Sequence, residues 1–291
     1  MSAYSAIESI LPVAMSNLPP NRTVRPPMFA GELYPADALT LQAQVDAAIC
    51  DANASPEKPL IPYLRTLLVP HGHYAHVLPT LAEGYRHIEL ARYELAVFIA
   101  PTVDTYERLM ISGYGYFATP LGDIELSDYV RNELCDEDDD FFISELGLPK
   151  GSSIEVQLPL LQRTIGKRHS LRIVPLLIGN QTIDLCNEAA NALSEILTSK
   201  NALVVAVNNF HLSSDNTSLV EEYMAGMREH DYEALIRMAV MHDGKLGSGL
   251  GAWAIAARIS HSLGARNFHL LSQQSHSEVG KHFISACYTQ Q

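Results

Sequence analysis

Residues Leu67–His76 read LLVPHGHYAH: an apolar, β-prone run stops at Pro70, and histidines follow at positions 71, 73 and 76. Open α/β sheets place their chemistry where strands end, because the loops there face a crevice. Imidazole is the commonest protein ligand for metal ions and the usual acid or base near neutral pH. The stretch therefore predicts a functional site that begins at His71, at the carboxyl end of a buried strand.

Short apolar runs alternate along the chain with longer stretches whose apolar residues recur at helical spacing. The expected strands are Thr66–Val69, Leu95–Ala100, Leu171–Ile178, Leu203–Val207 and Phe268–Leu271. The expected helices are Ala38–Ala52, Thr80–Ile88, Glu155–Thr164, Leu185–Thr198, Ser218–Met238 and Leu250–Leu263. Strands of near-continuous Val, Ile and Leu are typical of a sheet that is buried on both faces. Their alternation with helices predicts a largely parallel central sheet between two helical layers.

The stretch Leu109–Asp128 departs from this alternation. Tyr114 and Tyr116 alternate with glycines, and a TPLGD turn follows them. This pattern favours an antiparallel hairpin or an edge strand, so the sheet is expected to be mixed. We predict a single α/β domain, with a mixed central sheet flanked by helices on both faces. Residues 1–24 are expected to form an N-terminal arm, and residues 25–291 the domain.

Composition and charge exclude several classes of function. The 291 residues are 47% hydrophobic and 18% charged, as in ordinary globular proteins. A net charge of −13 argues against binding to nucleic acid or to an anionic membrane surface. The acidic run at residues 136–140 is typical of a solvated surface rather than a cation site.

The chain shows no sign of export. Its first twenty residues lack a basic segment, so they do not resemble a signal peptide. No uninterrupted apolar run of ~20 residues predicts a membrane span. The four cysteines lie far apart and match neither a zinc knuckle nor a disulfide framework. We therefore expect a cytoplasmic protein.

Several motifs together resemble one protein family. Five segments of this chain are similar to segments of Memo-like proteins, in the same order: RPPMFAGELYPAD (Arg25–Asp37), LLVPHGHYAH (Leu67–His76), YFATPLGDIELS (Tyr116–Ser127), SSIEVQLPLLQ (Ser152–Gln162) and IVPLLIG (Ile173–Gly179). The resemblance implies a fold related to LigB-like class III extradiol dioxygenases. It also implies a metal-type site of histidines, an aspartate and a cysteine, with redox activity in some members. A functional link to radical-SAM and AMMECR-type proteins is implied by the same analogy.

Most positions that the resemblance assigns to the metal site carry a different residue here. His71 matches the first family histidine. Asp104 stands where the family has a second histidine, Asn209 where it has an aspartate, and Leu246 where it has a cysteine. Leu246 removes the soft, anionic thiolate ligand. The expected metal site is therefore degenerate in this chain.

Two functions remain open. The first is a pseudoenzyme: a divergent Memo-like protein that binds no cofactor and uses the residual pocket to bind a small molecule or a peptide. That pocket would be lined by His73, Tyr74, Ser152, Asn209 and Leu246.

The second is a metal-dependent oxidoreductase related to extradiol dioxygenases. Its rebuilt site would use His71, Asp104 and either His211 or His73 to hold iron, copper or zinc. Two histidines and one carboxylate with open positions form the ligand set of non-haem iron oxygenases. His211 would join this set only if a one-residue shift turned its side chain inward.

Two neighbouring features have simpler interpretations. The glycines of KLGSGLG, residues 245–251, could seat an anion at a helix N-terminus, but a tight turn that allows close packing explains them better. Glu155 lies three residues after Ser152, as in a capping box, and could also support the site indirectly.

Overall fold

The computed structural model describes residues 23–54, 59–90, 93–102, 108–137, 141–144, 152–165, 171–213, 216–242 and 244–290. The strands are β1 (Val24–Arg25), β2 (Leu64–Val69), β3 (Leu95–Pro101), β4 (Leu109–Ile111), β5 (Tyr116–Thr119), β6 (Gly122–Glu125), β7 (Phe141–Ile143), β8 (Arg172–Ile178), β9 (Ala202–Val207), β10 (Phe210–His211), β11 (Asn267–His276) and β12 (Lys281–Thr289). The helices are α1 (Ala38–Asn53), α2 (Tyr74–Tyr85), α3 (Asp128–Glu137), α4 (Ser152–Glu155), α5 (Leu158–Ile165), α6 (Ile183–Leu197), α7 (Thr217–Glu229), α8 (Tyr232–Met241) and α9 (Leu250–Ser262). A 3-10 helix covers Arg86–Leu90.

The main sheet is mixed, as predicted. Its strands lie in the order β10-β12-β2-β9-β3-β8-β4-β7, and β11 pairs with β12. The pairs β2–β9, β9–β3 and β3–β8 are parallel, so the carboxyl ends of these four strands share one edge of the sheet. β12 is antiparallel to β2.

Alternate residues of the central strands enter two separate cores, because successive side chains of a strand point to opposite faces. Leu67 and Val69 pack with α1, α2, α4 and α5 on one face. Leu68 packs on the opposite face, where α3 and α6–α9 cover the sheet. Both faces are thus closed by helices, which confirms the predicted single α/β domain.

The helix predicted at Thr80–Ile88 begins earlier, at Tyr74. The His73 side chain caps it by accepting a hydrogen bond from the backbone N–H of Ala75 at 3.0 Å. Pro79 lies within the helix and leaves the carbonyl of Ala75 without its usual partner. Because Ala75 is exposed, water can satisfy that carbonyl, and the helix continues through the proline.

The helix predicted at Ser218–Met238 is two helices. α7 ends at Glu229, and His230 follows it with a left-handed φ of +60°. Asp231 then caps α8 by accepting a 3.0 Å hydrogen bond from the Ala234 N–H. Neither Gly nor Pro marks this break, so its sequence signal is weak. The helix predicted at Glu155–Thr164 also divides, into α4 and α5.

The predicted hairpin lies in a small second sheet. β5 and β6 pair antiparallel around the turn at Thr119 and Gly122, and β1 joins β5 in parallel. β4 belongs instead to the main sheet, antiparallel to β8. Sequence analysis missed β12, which lies between β10 and β2. Within the described ranges, no helix is long and apolar enough to cross a bilayer.

Candidate functional site

His71 lies where the sequence places it, at the carboxyl edge of the main sheet just after β2. Its Nε2 is shielded from solvent and has no hydrogen-bond partner within the described part of the chain. Burial, and secondarily the charge of Lys281, lowers the pKa of His71 to about 4. The imidazole is therefore neutral at neutral pH. Gly72 follows it with φ +145°, a conformation that favours glycine and turns the chain into α2.

The side chain of Asn209 is bound to the backbone of His71 at both ends of its amide. Its Oδ1 accepts the His71 N–H at 2.9 Å, and its Nδ2 donates to the His71 carbonyl at 2.7 Å. The two bonds join the loop after β9 to the end of β2, and they fix the orientation of the amide. An aspartate could accept the first bond but could not donate the second. Asn209 therefore acts as a structural bridge.

Leu246 is fully buried in the core that lies under α6–α9. Its carbonyl accepts a hydrogen bond from the His211 N–H at 2.8 Å, so its loop is attached to β10. The position that the resemblance assigns to a thiolate is thus occupied by an aliphatic side chain that packs in the hydrophobic core.

His211 lies on β10, directly across from Lys281 on β12. Its Nδ1 is 3.1 Å from the carbonyl oxygen of Lys245. Burial and the charge of Lys281 lower the pKa of His211, and the hydrogen bond to Lys245 opposes that shift. His71 and His211 therefore both lie within electrostatic range of one ammonium group. Asp104, the carboxylate expected to complete the set, lies outside the described residues.

His73 and Tyr74 make contacts that stabilise the fold. His73 is exposed and caps α2 through its ring nitrogen. The Tyr74 side chain is buried, and its hydroxyl donates to the Val156 carbonyl at 2.8 Å. Ser152 is the first residue of α4, and its side chain lies outside the description. Within the described ranges, no three His, Cys, Asp or Glu residues are grouped so that they could hold a metal ion.

Lys281 is the residue of this edge that sequence reasoning missed. It opens β12, a strand whose apolar pattern begins only at Phe283, so its position could not be deduced from periodicity. The side chain is partly buried, and burial lowers the pKa of its ammonium group. Its charge acts on both His71 and His211.

Glu155 is a buried clamp for the segment that follows β1, a role that the capping interpretation did not foresee. Its carboxylate accepts bonds from the Arg25 guanidinium at 2.5 Å and the Tyr34 hydroxyl at 2.6 Å. It also accepts the backbone N–H groups of Met28 at 3.1 Å and Phe29 at 2.8 Å. The RPPMF motif and the EVQ motif therefore hold each other in place.

Gln157 links the same segment to the edge of the sheet. Its Nε2 donates to the carbonyl of Pro70, the residue before His71, at 2.9 Å. Its Oε1 is buried and has no partner in the described part of the chain. Two polar atoms next to Pro70, one on Gln157 and one on His71, thus have no hydrogen-bond partner among the described residues.

The glycine-rich loop packs directly on the end of β9, in line with the packing interpretation. A Cβ atom at Gly249 would lie 2.1 Å from the carbonyl oxygen of Val207, and one at Gly247 would lie 2.7 Å from Asn208 Oδ1. The N–H of Gly249 donates to that same Oδ1 at 2.8 Å. Only glycine allows this approach.

A cavity of about 550 Å³ lies away from His71, between α1, the β5–β6 hairpin and α5. Leu39, Tyr116, Asp123 and Arg163 are among its lining residues. This cavity therefore does not coincide with the edge of the sheet where the histidines lie.

Comparison with known proteins agrees with the family resemblance of the motifs. The profile of the family described as Memo-like protein matches residues 25–286. A MEMO1 family protein from Nitrosopumilus maritimus is 24% identical over 268 residues, 88% of this chain and 94% of the relative. A MEMO1 family protein from Sulfolobus acidocaldarius is 27% identical over 234 residues, which are 76% of this chain and 82% of the relative. The crystal structure of the uncharacterized protein JW3007 from Escherichia coli K12 is similar with a TM-score of 0.49 and 12% sequence identity. The match covers 77% of this chain and 99% of that chain. Because the family profile spans nearly all of this chain, the protein belongs to the Memo-like family.

Proposed function

We propose that this protein is a Memo-like protein that binds a ligand at the carboxyl edge of its sheet without a transition metal. The observation that carries the proposal is the orientation of Asn209, whose amide is committed to the backbone of His71 at both of its ends. A side chain bound in this way contributes no charge to a metal ion, and its Oδ1 keeps only one lone pair that is not engaged by the His71 N–H.

The residues that the structure describes do not fit a transition-metal centre. Such centres need about three or four nitrogen, sulfur or oxygen ligands converging on one point. Of the positions that the resemblance assigns to ligands, His71 provides one imidazole, whereas Leu246 is a buried aliphatic side chain without a ligand atom. The Lys281 ammonium, which lies within electrostatic range of His71, would also repel a second cation. The donor set favours a binding role over metal-dependent redox chemistry.

Metal titration tests the proposal. The protein would be purified without an affinity tag, its metal content measured, and iron(II), copper and zinc then titrated into it. We expect substoichiometric metal that is unchanged by His71→Ala and by Asp104→Ala. Stoichiometric binding that both substitutions abolish would instead support an oxidoreductase with a rebuilt site.

A restored site provides the positive control. The triple variant Asp104→His, Asn209→Asp, Leu246→Cys returns the residues that the resemblance assigns to those positions. Circular dichroism would first establish that it folds. Metal uptake by this variant under conditions where the natural chain takes up none would support the proposal. Equal uptake by both proteins would contradict it.

A further inference from the structure

β11 is the last strand at one edge of the main sheet. β12 pairs with β11 along its whole length, from Lys281 to Thr289, and pairs with β2 and β10 on its other side. Within the described part of the chain, no strand pairs with the outer side of β11. An edge strand presents a row of backbone N–H and C=O groups that can pair with another strand. A further strand can therefore be added to the sheet at β11.

β11 lacks the charges that usually protect such an edge. Edge strands of natural proteins avoid pairing through charged side chains, proline, bulges or short length. The sequence of β11, NFHLLSQQSH, contains no Asp, Glu, Lys, Arg or Pro in its ten residues. A bulge between Leu270 and Ser272 divides its pairing with β12. After the bulge, the segment Ser272–His276 pairs with β12 without interruption and keeps a regular edge.

A second copy of this chain is the partner that fits the Ser272–His276 segment. In an antiparallel pair with Gln274 on the twofold axis, Gln274 faces the Gln274 of the other copy, and Gln273 faces Ser275. Ser272 then faces His276. Like charges directly opposite destabilise a strand pair, and none of these side chains is a carboxylate, ammonium or guanidinium group. The chain carries a net charge of −13, so an uncharged strand is a favourable place for two copies to meet.

Apolar side chains on either side of the segment support the same arrangement. Leu270 precedes the segment, Val279 lies in the turn that follows it, and both are exposed. In the antiparallel pair, the Leu270 end of one segment lies beside the turn that carries Val279 in the other copy. Contacts of this kind would occur twice and would remove apolar surface from water.

We propose that the protein forms a weak, twofold-symmetric dimer by antiparallel pairing of the Ser272–His276 segments of two copies. Each copy uses the same edge, so the assembly closes at two chains. A short strand pair with few apolar contacts is smaller than a standard interface, and we expect a Kd of about 10–100 µM. At about 1 µM the protein would therefore be mostly monomeric. The dimer is independent of what His71 binds.

Sedimentation velocity tests the dimer on the full-length protein, from about 1 µM to about 500 µM, a range that spans the expected Kd. Gln274→Lys should raise the Kd by about tenfold or more, because two ammonium groups would face each other at the axis. Gln42→Lys makes the same change on the exposed surface of α1 and should alter the Kd by less than about twofold. A general charge effect would instead favour association of both variants, since each reduces the net negative charge.

Cysteine cross-linking tests the position of the axis. Cys50 is exposed, so the background variant is Cys50→Ser. Residues directly opposite in an antiparallel pair have Cα atoms about 4.5–5.5 Å apart, a separation that a disulfide can span. Gln274→Cys should therefore give a covalent dimer on mild oxidation, whereas Gln42→Cys should not. Circular dichroism would establish that each variant is folded.

The results that would overturn the dimer are specific. A monomer at every concentration, assemblies larger than a dimer, or equal changes of Kd in Gln274→Lys and Gln42→Lys would each contradict the pairing. A dimer whose Gln274→Cys variant does not cross-link would place the interface elsewhere. None of these results changes the outcome expected for the metal titration.

Discussion

Asn209 shows how much depends on a single amide. It has nearly the shape of an aspartate, yet its Nδ2 provides the bond to the His71 carbonyl that a carboxylate cannot make. The residue is 6% exposed, so water cannot easily replace a lost partner. The Asn209 side chain thus stabilises the edge of the sheet and, compared with an aspartate, leaves that edge without a negative charge.

Replacement of Asn209 by Asp should destabilise the fold by about 1–3 kcal/mol at pH 7, because a carboxylate would then face the His71 carbonyl and remain poorly solvated. Urea denaturation would measure the change in the free energy of unfolding. Gln273→Glu makes the same chemical change at an exposed position of β11 and should alter stability by less than about 0.5 kcal/mol. Equal effects of the two substitutions would show that the Asn209 bridge is not required.

His87 should make the protein less stable in acid. It is 2% exposed, and its Nδ1 accepts the Ile61 N–H at 3.0 Å. Burial, with smaller contributions from Arg86 and His269, lowers its pKa from 6.5 to about 4. Between these values the unfolded chain binds more protons than the folded chain, so the free energy of unfolding falls as the pH decreases from 6.5 to about 4.

The variant His87→Asn tests this contribution, since its amide oxygen can accept the same bond but does not titrate. Over that pH interval it should lose about 2–3 kcal/mol less stability than the natural chain. Urea midpoints at a series of pH values would provide the comparison. Identical pH profiles for the two proteins would rule out the contribution of His87.

At the scale of elements, the loop before α9 depends on close contact between backbones. Gly249→Ala would place a Cβ atom 2.1 Å from the Val207 carbonyl oxygen, so β9 and α9 would have to separate. We expect a loss of about 3 kcal/mol or more, or failure to fold. Gly244→Ala is the control: Gly244 has φ +67° but open space around it, and the loss should be about 1 kcal/mol. Chemical denaturation measures the free energy of unfolding of both variants. A smaller loss in Gly249→Ala than in Gly244→Ala would contradict the close contact between Gly249 and Val207.

The segment from β1 to Tyr34 is attached to α4 through one carboxylate. Glu155→Gln removes the charge opposite Arg25 and should destabilise by about 3–5 kcal/mol, as expected when one partner of a buried ion pair is lost. Limited proteolysis should then cut preferentially near residues 25–34. Glu233→Gln breaks an exposed pair with Arg237 and should change stability by less than about 0.5 kcal/mol. Unchanged stability and cleavage in Glu155→Gln would refute the clamp.

At the scale of the whole molecule, the fold follows from periodicity and the site does not. Continuous apolar runs such as Leu203–Val207 identify the strands that are buried between two helical layers, and the structure places them there. β12 escapes prediction because its first residues are polar and only its later ones are apolar. The break at His230 escapes because it depends on a left-handed residue that is neither glycine nor asparagine.

Only part of the candidate site could likewise be predicted from the sequence. His71 could be located because a histidine follows a buried strand, which is a local signal. The partner of its backbone, Asn209, is a residue far away in sequence that strand order brings close. Glu155 illustrates the same limit, since its partner Arg25 lies 130 residues away. Local patterns thus predict elements, whereas the contacts between their ends depend on topology.

We propose that this Memo-like protein does not hold a transition metal at the edge of its sheet. Crystals of the full-length protein, soaked with iron(II) or copper and measured at the absorption edge of the metal, test it most directly. We predict no anomalous peak within bonding distance of His71. A peak about 2.0–2.3 Å from His71 Nε2, shared with at least two further protein ligands, would contradict the claim.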